Sequence, residues 1–168
     1  REYVLSGVKL AVYSYDGAVL QVRGQCAVEY VSQDVPMPAY LEMHRELMAA
    51  GAKAPPRVLV VGGGRNTVST ILANYAVRQG CHPVIFVQLD ARRNALPMPG
   101  VLSALCMDRP VDVEDGWAAE GAAPVAFFYG ATRYADNPRL WTRLAGRLAK
   151  AVNARVAATP GPVIVVAP

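Results

Sequence analysis

Apolar positions alternate with polar or small ones near the start of the chain. The alternation is seen at residues 8–12, two further apolar-rich runs follow at 19–22 and 28–31, and the turn pair Asp16-Gly17 separates the first two runs. Strict alternation is typical of strands with one covered face, and Asp-Gly is a strong hairpin signal. The pattern therefore predicts three short strands in an antiparallel meander.

After Pro36 the pattern changes to helices and strands in alternation. Apolar residues at helical spacing predict an amphipathic helix over residues 39–50 and a second helix over residues 66–79. Between them lies the β-branched run 57–61, which predicts a strand, and three consecutive glycines follow it directly. The order is strand, glycine loop and helix.

Three further apolar runs, at residues 84–89, 125–129 and 163–167, predict buried strands, and a helix is expected over residues 138–156. These runs are continuous rather than alternating, which is typical of strands covered on both faces. We therefore predict an α/β fold, with a parallel sheet and helices on both faces. Ligands of such sheets bind at the carboxyl ends of the strands, where the glycines and Asp90 both fall.

The composition is that of a folded domain. The chain has 168 residues, of which 53% are hydrophobic and 18% charged, and this excludes a disordered tail. No apolar run approaches the roughly 20 residues of a membrane-spanning helix, so we expect no membrane partner. The net charge of +4 comes from 14 Arg and 3 Lys that form no basic tract. This charge is compatible with an anionic partner such as RNA, although scattered positive charges more often belong to a solvated surface.

The cysteines and histidines do not indicate a metal site. Cys26, Cys81 and Cys106 are widely spaced and form no C-x-x-C pair, and His44 and His82 lie far apart in the sequence. We expect free thiols in a reducing compartment and no zinc site.

The glycine loop can be compared with the phosphate-binding pattern G-x-x-x-x-G-K-[ST]. In that pattern the glycines let backbone N–H groups approach phosphates, the lysine neutralises their charge and the Ser or Thr hydroxyl binds Mg²⁺. When the pattern starts at Gly62, only Gly62 and Ser69 fit, because Thr67 stands at the second glycine and Val68 at the lysine. The pattern alone is equally consistent with a tight turn between strand and helix.

Several segments occur in the order found in one known family. They are GVKLAVY at 7–13, VPMPAYL at 35–41, AVRQG at 76–80, VQLD at 87–90, PMPG at 97–100, RPVDVEDG at 109–116, FYGAT at 128–132 and NPRLW at 137–141. With them the chain resembles the eukaryotic RNA 5′-hydroxyl polynucleotide kinases, in particular the subunit of pre-mRNA cleavage complex II that acts in mRNA 3′-end processing. The resemblance covers nearly the whole chain and implies a P-loop NTPase-like fold.

The resemblance also divides the chain into two parts. It implies that residues 1–35 are the C-terminal part of an N-terminal β domain and that residues 36–168 are a P-loop NTPase-like kinase domain. The chain starts at Arg1, and its last apolar run stops at Pro168 with no helix after it. We therefore expect a piece of a longer protein, in which the kinase domain is incomplete at its C-terminal end.

The resemblance gives the glycine loop a second alignment that keeps the following helix intact. In it Gly64 takes the place of the last loop glycine and Arg65 that of the lysine, and the loop is about three residues shorter than the pattern. The residues thereby implied in ATP binding are Gly62, Gly63, Gly64, Arg65, Asn66 and Thr67. Those implied in Mg²⁺ binding are Asp90 and Thr67, and those implied in catalysis are Asp90 and Arg65.

Under either alignment the phosphate-binding lysine is absent. Phosphoryl transfer depends on positioning and charge stabilisation, and the loss of one such contact typically costs about 3 kcal/mol in the transition state. Arg65 is a planar fork rather than a point charge, and Asn66 has no hydroxyl for Mg²⁺. We therefore expect a degenerate P-loop protein, a pseudoenzyme, that serves as a scaffold in the nuclear mRNA cleavage and polyadenylation complex with weak or no catalysis.

Two alternatives stay open. The first is a working ATP-dependent polynucleotide 5′-hydroxyl kinase acting on RNA, in which Arg65, Arg92 or Arg93 replaces the lysine. The second is a switch that binds ATP without hydrolysing it and so orders a partner-binding surface. The resemblance implies that the partners are other subunits of the mRNA 3′-end cleavage complex, with RNA as a further candidate. Trp141 is expected to pack in the core rather than to stack on a base.

Overall fold

Three α-helices and one five-stranded sheet form the described part of the chain. A computed structural model describes residues 2–5, 10–51, 54–81, 83–94, 96, 98–117 and 123–168. The helices and strands in chain order are α1 (Met37–Ala50), β1 (Arg57–Val60), α2 (Arg65–Arg78), β2 (Val84–Gln88), β3 (Val101–Met107), β4 (Val125–Phe128), α3 (Pro138–Ala158) and β5 (Val163–Val166), with 3₁₀ turns at Ala91–Arg93 and Tyr134–Asp136.

The sheet has the strand order β1-β5-β2-β3-β4. Strands β1, β5 and β2 are parallel neighbours, whereas β3 is antiparallel to both β2 and β4. The four strands predicted from the sequence therefore run in one direction, and β3 runs against them. The predicted α/β fold is confirmed. The prediction of a wholly parallel sheet is wrong, because it omitted β3.

Residue types explain why β3 was omitted. Among residues 101–107 only Val101 is β-branched, and the others are Leu, Ser, Ala, Cys and Met, which do not favour a strand over a helix. Pairing with β2 on one side and β4 on the other fixes the segment as a strand. Tertiary pairing, rather than local preference, decides the structure here.

The predicted helices and the other four strands are confirmed, with ends that differ by at most two residues. The prediction that the run at 125–129 is buried is wrong, because β4 is an edge strand whose Val125 and Phe128 are exposed. Their apolar residues form a layer on each face of the sheet. On one face Leu72 of α2 packs in a cluster with Phe86, and α1 packs on α2. On the other face Leu148 of α3 packs in a cluster with Leu102. Each such fully buried side chain contributes roughly 1.5–3 kcal/mol of transfer free energy.

Within residues 2–5 and 10–35 the structure contains no strand, so the predicted meander is wrong there. Val8 of the first predicted strand lies outside the described residues. Val19 is 99% exposed and Val28 79% exposed, and no apolar layer covers them. Short ribbons of strands are stable only when such a layer covers one face. The assignment of residues 1–35 to a separate β domain and of residues 36–168 to a kinase domain stays a prediction.

None of the helices in the described ranges is long and apolar enough to cross a membrane.

Candidate functional site

The candidate site lies where β1, β2 and β5 end. Only Val61 and the three glycines separate β1 from α2, so the loop is a tight turn. Gly62 and Gly64 have φ angles of +89° and +72°, in the left-handed region that favours glycine. A Cβ placed on any of the three glycines would have no neighbour within 4 Å. The backbone conformation therefore requires glycine at two positions, and the loop does not enclose a tight cavity.

Arg65, the first residue of α2, uses all three of its nitrogens within the protein. Its Nη2 donates to Asp90 Oδ2 at 2.7 Å, and its Nε donates to the carbonyl oxygen of Ala167 at 2.8 Å. Its Nη1 donates to the carbonyl oxygen of Gly62 at 3.1 Å. The guanidinium thus binds the loop before it and the residues after β2 and β5. It does not project as a free cation.

Asp90 is equally engaged on its other side. Its side chain is 5% exposed, and Oδ1 accepts a hydrogen bond from the backbone N–H of Arg92 at 3.1 Å. This bond caps the 3₁₀ turn that follows β2. With Arg65 on Oδ2, both carboxylate oxygens have donors. A buried carboxylate needs such partners, because an unpaired charge in the protein interior is strongly unfavourable.

The residues present do not fit Mg-ATP in this arrangement. Mg²⁺ takes oxygen ligands at close to ideal octahedral positions, and the carboxylate implied as its ligand is already neutralised by Arg65. The loop has neither a lysine nor the length of the phosphate-binding pattern. In the part of the chain that the structure describes, no group of three or more His, Cys, Asp or Glu side chains could hold a metal ion.

Asn66 also binds within the protein. Its Oδ1 accepts a hydrogen bond from Gln88 Nε2 at 2.8 Å, and Gln88 Oε1 accepts one from the backbone N–H of Asp90 at 3.3 Å. Gln88 is buried at the end of β2 and joins the helix start to the Asp90 turn. Sequence reasoning did not select Gln88. The available signal was a single polar residue that ends an otherwise apolar strand.

The two hydroxyl candidates for Mg²⁺ differ in their surroundings. Ser69, which fits the first alignment of the loop, is buried and donates to the carbonyl oxygen of Arg65 at 2.6 Å. It therefore faces its own helix. Thr67, which fits the second alignment, is exposed. Its role as a metal ligand, and the roles of Gly62, Gly63 and Gly64 in ATP binding, stay predictions.

The remaining residues singled out from the sequence lie around this site. Arg92 and Arg93 are exposed on the 3₁₀ turn after Asp90. Trp141 is half-buried, donates through Nε1 to the carbonyl oxygen of Leu89 at 3.3 Å and packs edge-on against Tyr134 at 5.5 Å. The packing role expected for Trp141 agrees with these contacts. All three cysteines are free thiols.

Sequence models of known families match most of the chain. One, described as the mRNA cleavage and polyadenylation factor CLP1 P-loop, matches residues 61–167, and another, described as the N-terminal beta-sandwich domain of polyadenylation factor, matches residues 1–54. The chain belongs to the Clp1 family. The resemblance stated from the sequence is thereby confirmed.

The Clp1 relatives are longer than this chain. It is 38% identical to the polyribonucleotide 5′-hydroxyl-kinase Clp1 of Gallus gallus over 159 residues, which are 89% of this chain and 37% of the relative. It is 39% identical to the protein of that name from Danio rerio over 158 residues, 89% of this chain and 35% of the relative. The chain thus spans little more than a third of these Clp1 proteins.

Two solved Clp1 structures share the fold. The wild-type Clp1p-Pcf11p (454–563) complex matches with a TM-score of 0.71 at 20% identity, over 79% of this chain and 35% of that one. A structure of the extended interface between Pcf11p and Clp1p, which also addresses ATP loss in a point mutant, matches with a TM-score of 0.68 at 20% identity. The P-loop NTPase-like α/β fold is shown by these matches.

Proposed function

We propose that this Clp1-family protein is a non-catalytic component of the nuclear mRNA 3′-end cleavage and polyadenylation machinery, in which the P-loop fold serves as a scaffold. Membership of the Clp1 family supports the pathway. The complexes of Clp1p with Pcf11p support a subunit related to Pcf11 as the partner. ATP and Mg²⁺ are the ligands that the family implies, and the scaffold role needs neither.

The observation that carries this proposal is the engagement of Arg65 by Asp90, Gly62 and Ala167. A kinase needs a cation that meets the transferred phosphate and a carboxylate that is available to the metal side of the site. In this chain the two groups neutralise each other at 2.7 Å. Losing one preorganised contact of this kind costs about 3 kcal/mol in the transition state, so the combined defects leave little catalysis.

The first test is calorimetric titration of Mg-ATP into the protein, with human Clp1 as the positive control, followed by an assay of phosphate transfer to a 5′-hydroxyl RNA. We expect no binding up to millimolar nucleotide and no transfer. Transfer that is abolished by Asp90→Ala but kept by Asp115→Ala, a change at an exposed acid, would instead establish the kinase alternative. Micromolar ATP binding without transfer would establish the switch alternative.

The second test concerns the partner. Affinity for a Pcf11 segment that corresponds to the one in the Clp1p complex is measured with and without Mg-ATP. The scaffold proposal predicts binding with the same Kd in both conditions. Absence of binding, at concentrations where the Clp1p of the solved complex binds its Pcf11p segment, contradicts the proposal.

A further inference from the structure

The last part of the chain carries an unbalanced positive charge. Residues 137–168 contain four arginines, one lysine and no acidic residue, so they carry a charge of +5, whereas the whole chain carries +4. All five cations belong to α3 and all five are exposed. The absence of a basic tract in the sequence conceals this feature, because the cations are three to five residues apart.

Helical geometry brings four of these cations together. Arg139, Arg143 and Arg147 recur every fourth residue and Lys150 follows three residues later, which places all four within an arc of about 80° at 3.6 residues per turn. They extend over about 16 Å along the helix axis. We name Arg139, Arg143, Arg147 and Lys150 the basic stripe of α3. Leu144, Leu148 and Val152 are buried against the sheet on the opposite side.

The charges of the basic stripe are not neutralised within the protein. In the described ranges of the chain none of its four residues forms an ion pair with an acidic side chain, although pairs are seen for Arg45, Arg65 and Arg133. Arg147 instead lies over the ring of Phe127, with Cζ 5.1 Å from the centroid, which restrains its side chain. Like charges this close repel one another, so an anionic partner would relieve an unfavourable interaction.

The surface of α3 indicates which anionic partner fits. No large apolar side chain of α3 is exposed, and the small residue Gly146 lies beside the cations on the helix surface. Protein interfaces have an apolar core inside a polar rim, and membrane-surface helices insert an apolar face that α3 has already buried on the sheet. Interfaces with nucleic acids are polar and strongly positive, and arginine binds phosphate through two nitrogens at once.

We infer that the basic stripe of α3 binds the phosphodiester backbone of single-stranded RNA without base specificity. The basic stripe shares no residue with the glycine-loop site, and the inference does not depend on the scaffold role. Each phosphate neutralised on a single strand contributes about 0.7 to the slope of log Kd against log salt, so four contacts predict about 50-fold weaker binding at 200 than at 50 mM salt.

The test is fluorescence anisotropy with a labelled uridine oligonucleotide of about 16 nucleotides, a length at the upper end of the site sizes known for OB-folds. Arg139→Gln, Arg143→Gln and Lys150→Gln are combined, and Arg147 is kept because it packs on Phe127. Because only the Arg147 contact is left in this variant, raising the salt concentration from 50 to 200 mM should weaken its RNA binding only about 3-fold.

The matched control carries Arg23→Gln, Arg45→Gln and Arg78→Gln, which remove three exposed cations elsewhere. We expect this variant to keep the affinity and salt slope of the unmodified protein. Equal weakening in both triple variants, or no RNA binding at 50 mM salt, would overturn the inference. Displacement of the RNA by polyglutamate at the same concentration of charge would also overturn it, because the stripe would then fit an acidic protein segment.

Discussion

Arg65 Nε donates to the carbonyl oxygen of Ala167 at 2.8 Å, and this bond ties the first turn of α2 to the residue after β5. The same guanidinium reaches Asp90, which follows β2. Segments 25 and 102 residues from Arg65 in sequence thus meet at one side chain. In a nucleotide-binding P-loop the phosphates and their Mg²⁺ occupy this region. Here a residue of the chain itself holds the strand ends together.

Removal of Arg65 should destabilise the fold. Arg65→Ala leaves a carboxylate that is 5% exposed without its cation, and we expect the free energy of unfolding to fall by about 2–4 kcal/mol. Arg65→Lys should lower the free energy of unfolding by less, because an ammonium keeps the positive charge beside Asp90. It should not be neutral, because an ammonium does not reach three separated acceptors at once. Urea denaturation of the three proteins measures these differences.

A double-mutant cycle distinguishes the ion pair from a general effect of the substitution. The loss in Arg65→Ala combined with Asp90→Ala should be smaller than the sum of the single losses by about 1–3 kcal/mol. The exposed pair Arg133–Asp136, at a similar distance of 2.8 Å, is the control, and its coupling should be below about 1 kcal/mol. Strict additivity at Arg65 and Asp90 is the result that contradicts a structural role for the pair.

The glycines of the loop should differ in their tolerance of a side chain. Gly64 has a φ of +72°, and Gly64→Ala should cost about 1–2 kcal/mol of unfolding free energy, because an L-residue is strained there. Gly63 does not have a positive φ and has free space around its Cα, so Gly63→Ala should be neutral or slightly stabilising. The two midpoints of denaturation are compared directly, and equal losses would show that the loop adopts another conformation.

The central strands could be predicted because burial on both faces imposes continuous apolar runs. The runs at 84–89 and 163–167 gave the buried strands β2 and β5 almost to the residue. The run at 57–61 gave β1 equally well, although β1 is an edge strand with Leu59 exposed. Strand β3 could not be predicted, since its Leu, Ala and Met residues suit a helix as well. The N-terminal alternation predicted strands that need a covering layer, and the exposure of Val19 shows that none is present.

The sequence indicated which residues lie close together at the candidate site, but not which hydrogen bonds they form. Sequence position selected Arg65, Asn66 and Asp90, and the structure brings these residues together. Whether Arg65 faces a ligand or its own chain depends on the positions of Ala167 and Asp90, which only the assembled sheet defines. The basic stripe of α3 was missed for a related reason, because the spacing of four residues is a surface feature only after the helix has formed.

Tyr75 of α2 should titrate later than an ordinary tyrosine. Its hydroxyl lies 3.1 Å from that of Tyr15, and burial, followed by this hydrogen bond, raises the pKa of Tyr75 from 10.0 to about 12. Tyr75 therefore stays protonated in the folded state between about pH 10 and 12. Its contribution to the free energy of unfolding is complete below pH 10 and is lost as the pH rises through that window.

Spectrophotometric titration of the tyrosines tests this pKa. In Tyr15→Phe the pKa of Tyr75 should move toward 10, although not fully, because its burial is unchanged. Tyr30→Phe is the control, because Tyr30 is 81% exposed and its removal should leave the late titration step of Tyr75 unchanged. If Tyr15→Phe does not shift the late titration step at all, the two hydroxyls do not interact.

Two asparagines allow the same substitution to be tested in opposite roles. Asn94 is buried, and its Nδ2 donates to the carbonyl oxygen of Val101 and to Ser103 Oγ, both at 2.8 Å. An aspartate has the same shape but cannot donate, so Asn94→Asp should cost at least about 2 kcal/mol of unfolding free energy.

The side chain of Asn137 instead accepts a hydrogen bond, from the backbone N–H of Leu140 at 3.1 Å, and caps α3. Asn137→Asp should therefore be neutral or stabilising by about 0.5 kcal/mol, because a carboxylate favours a helix N-terminus. Urea denaturation of both variants provides the comparison, and similar losses at the two positions would mean that the amide donors of Asn94 do not hold the Asp90 turn against β3.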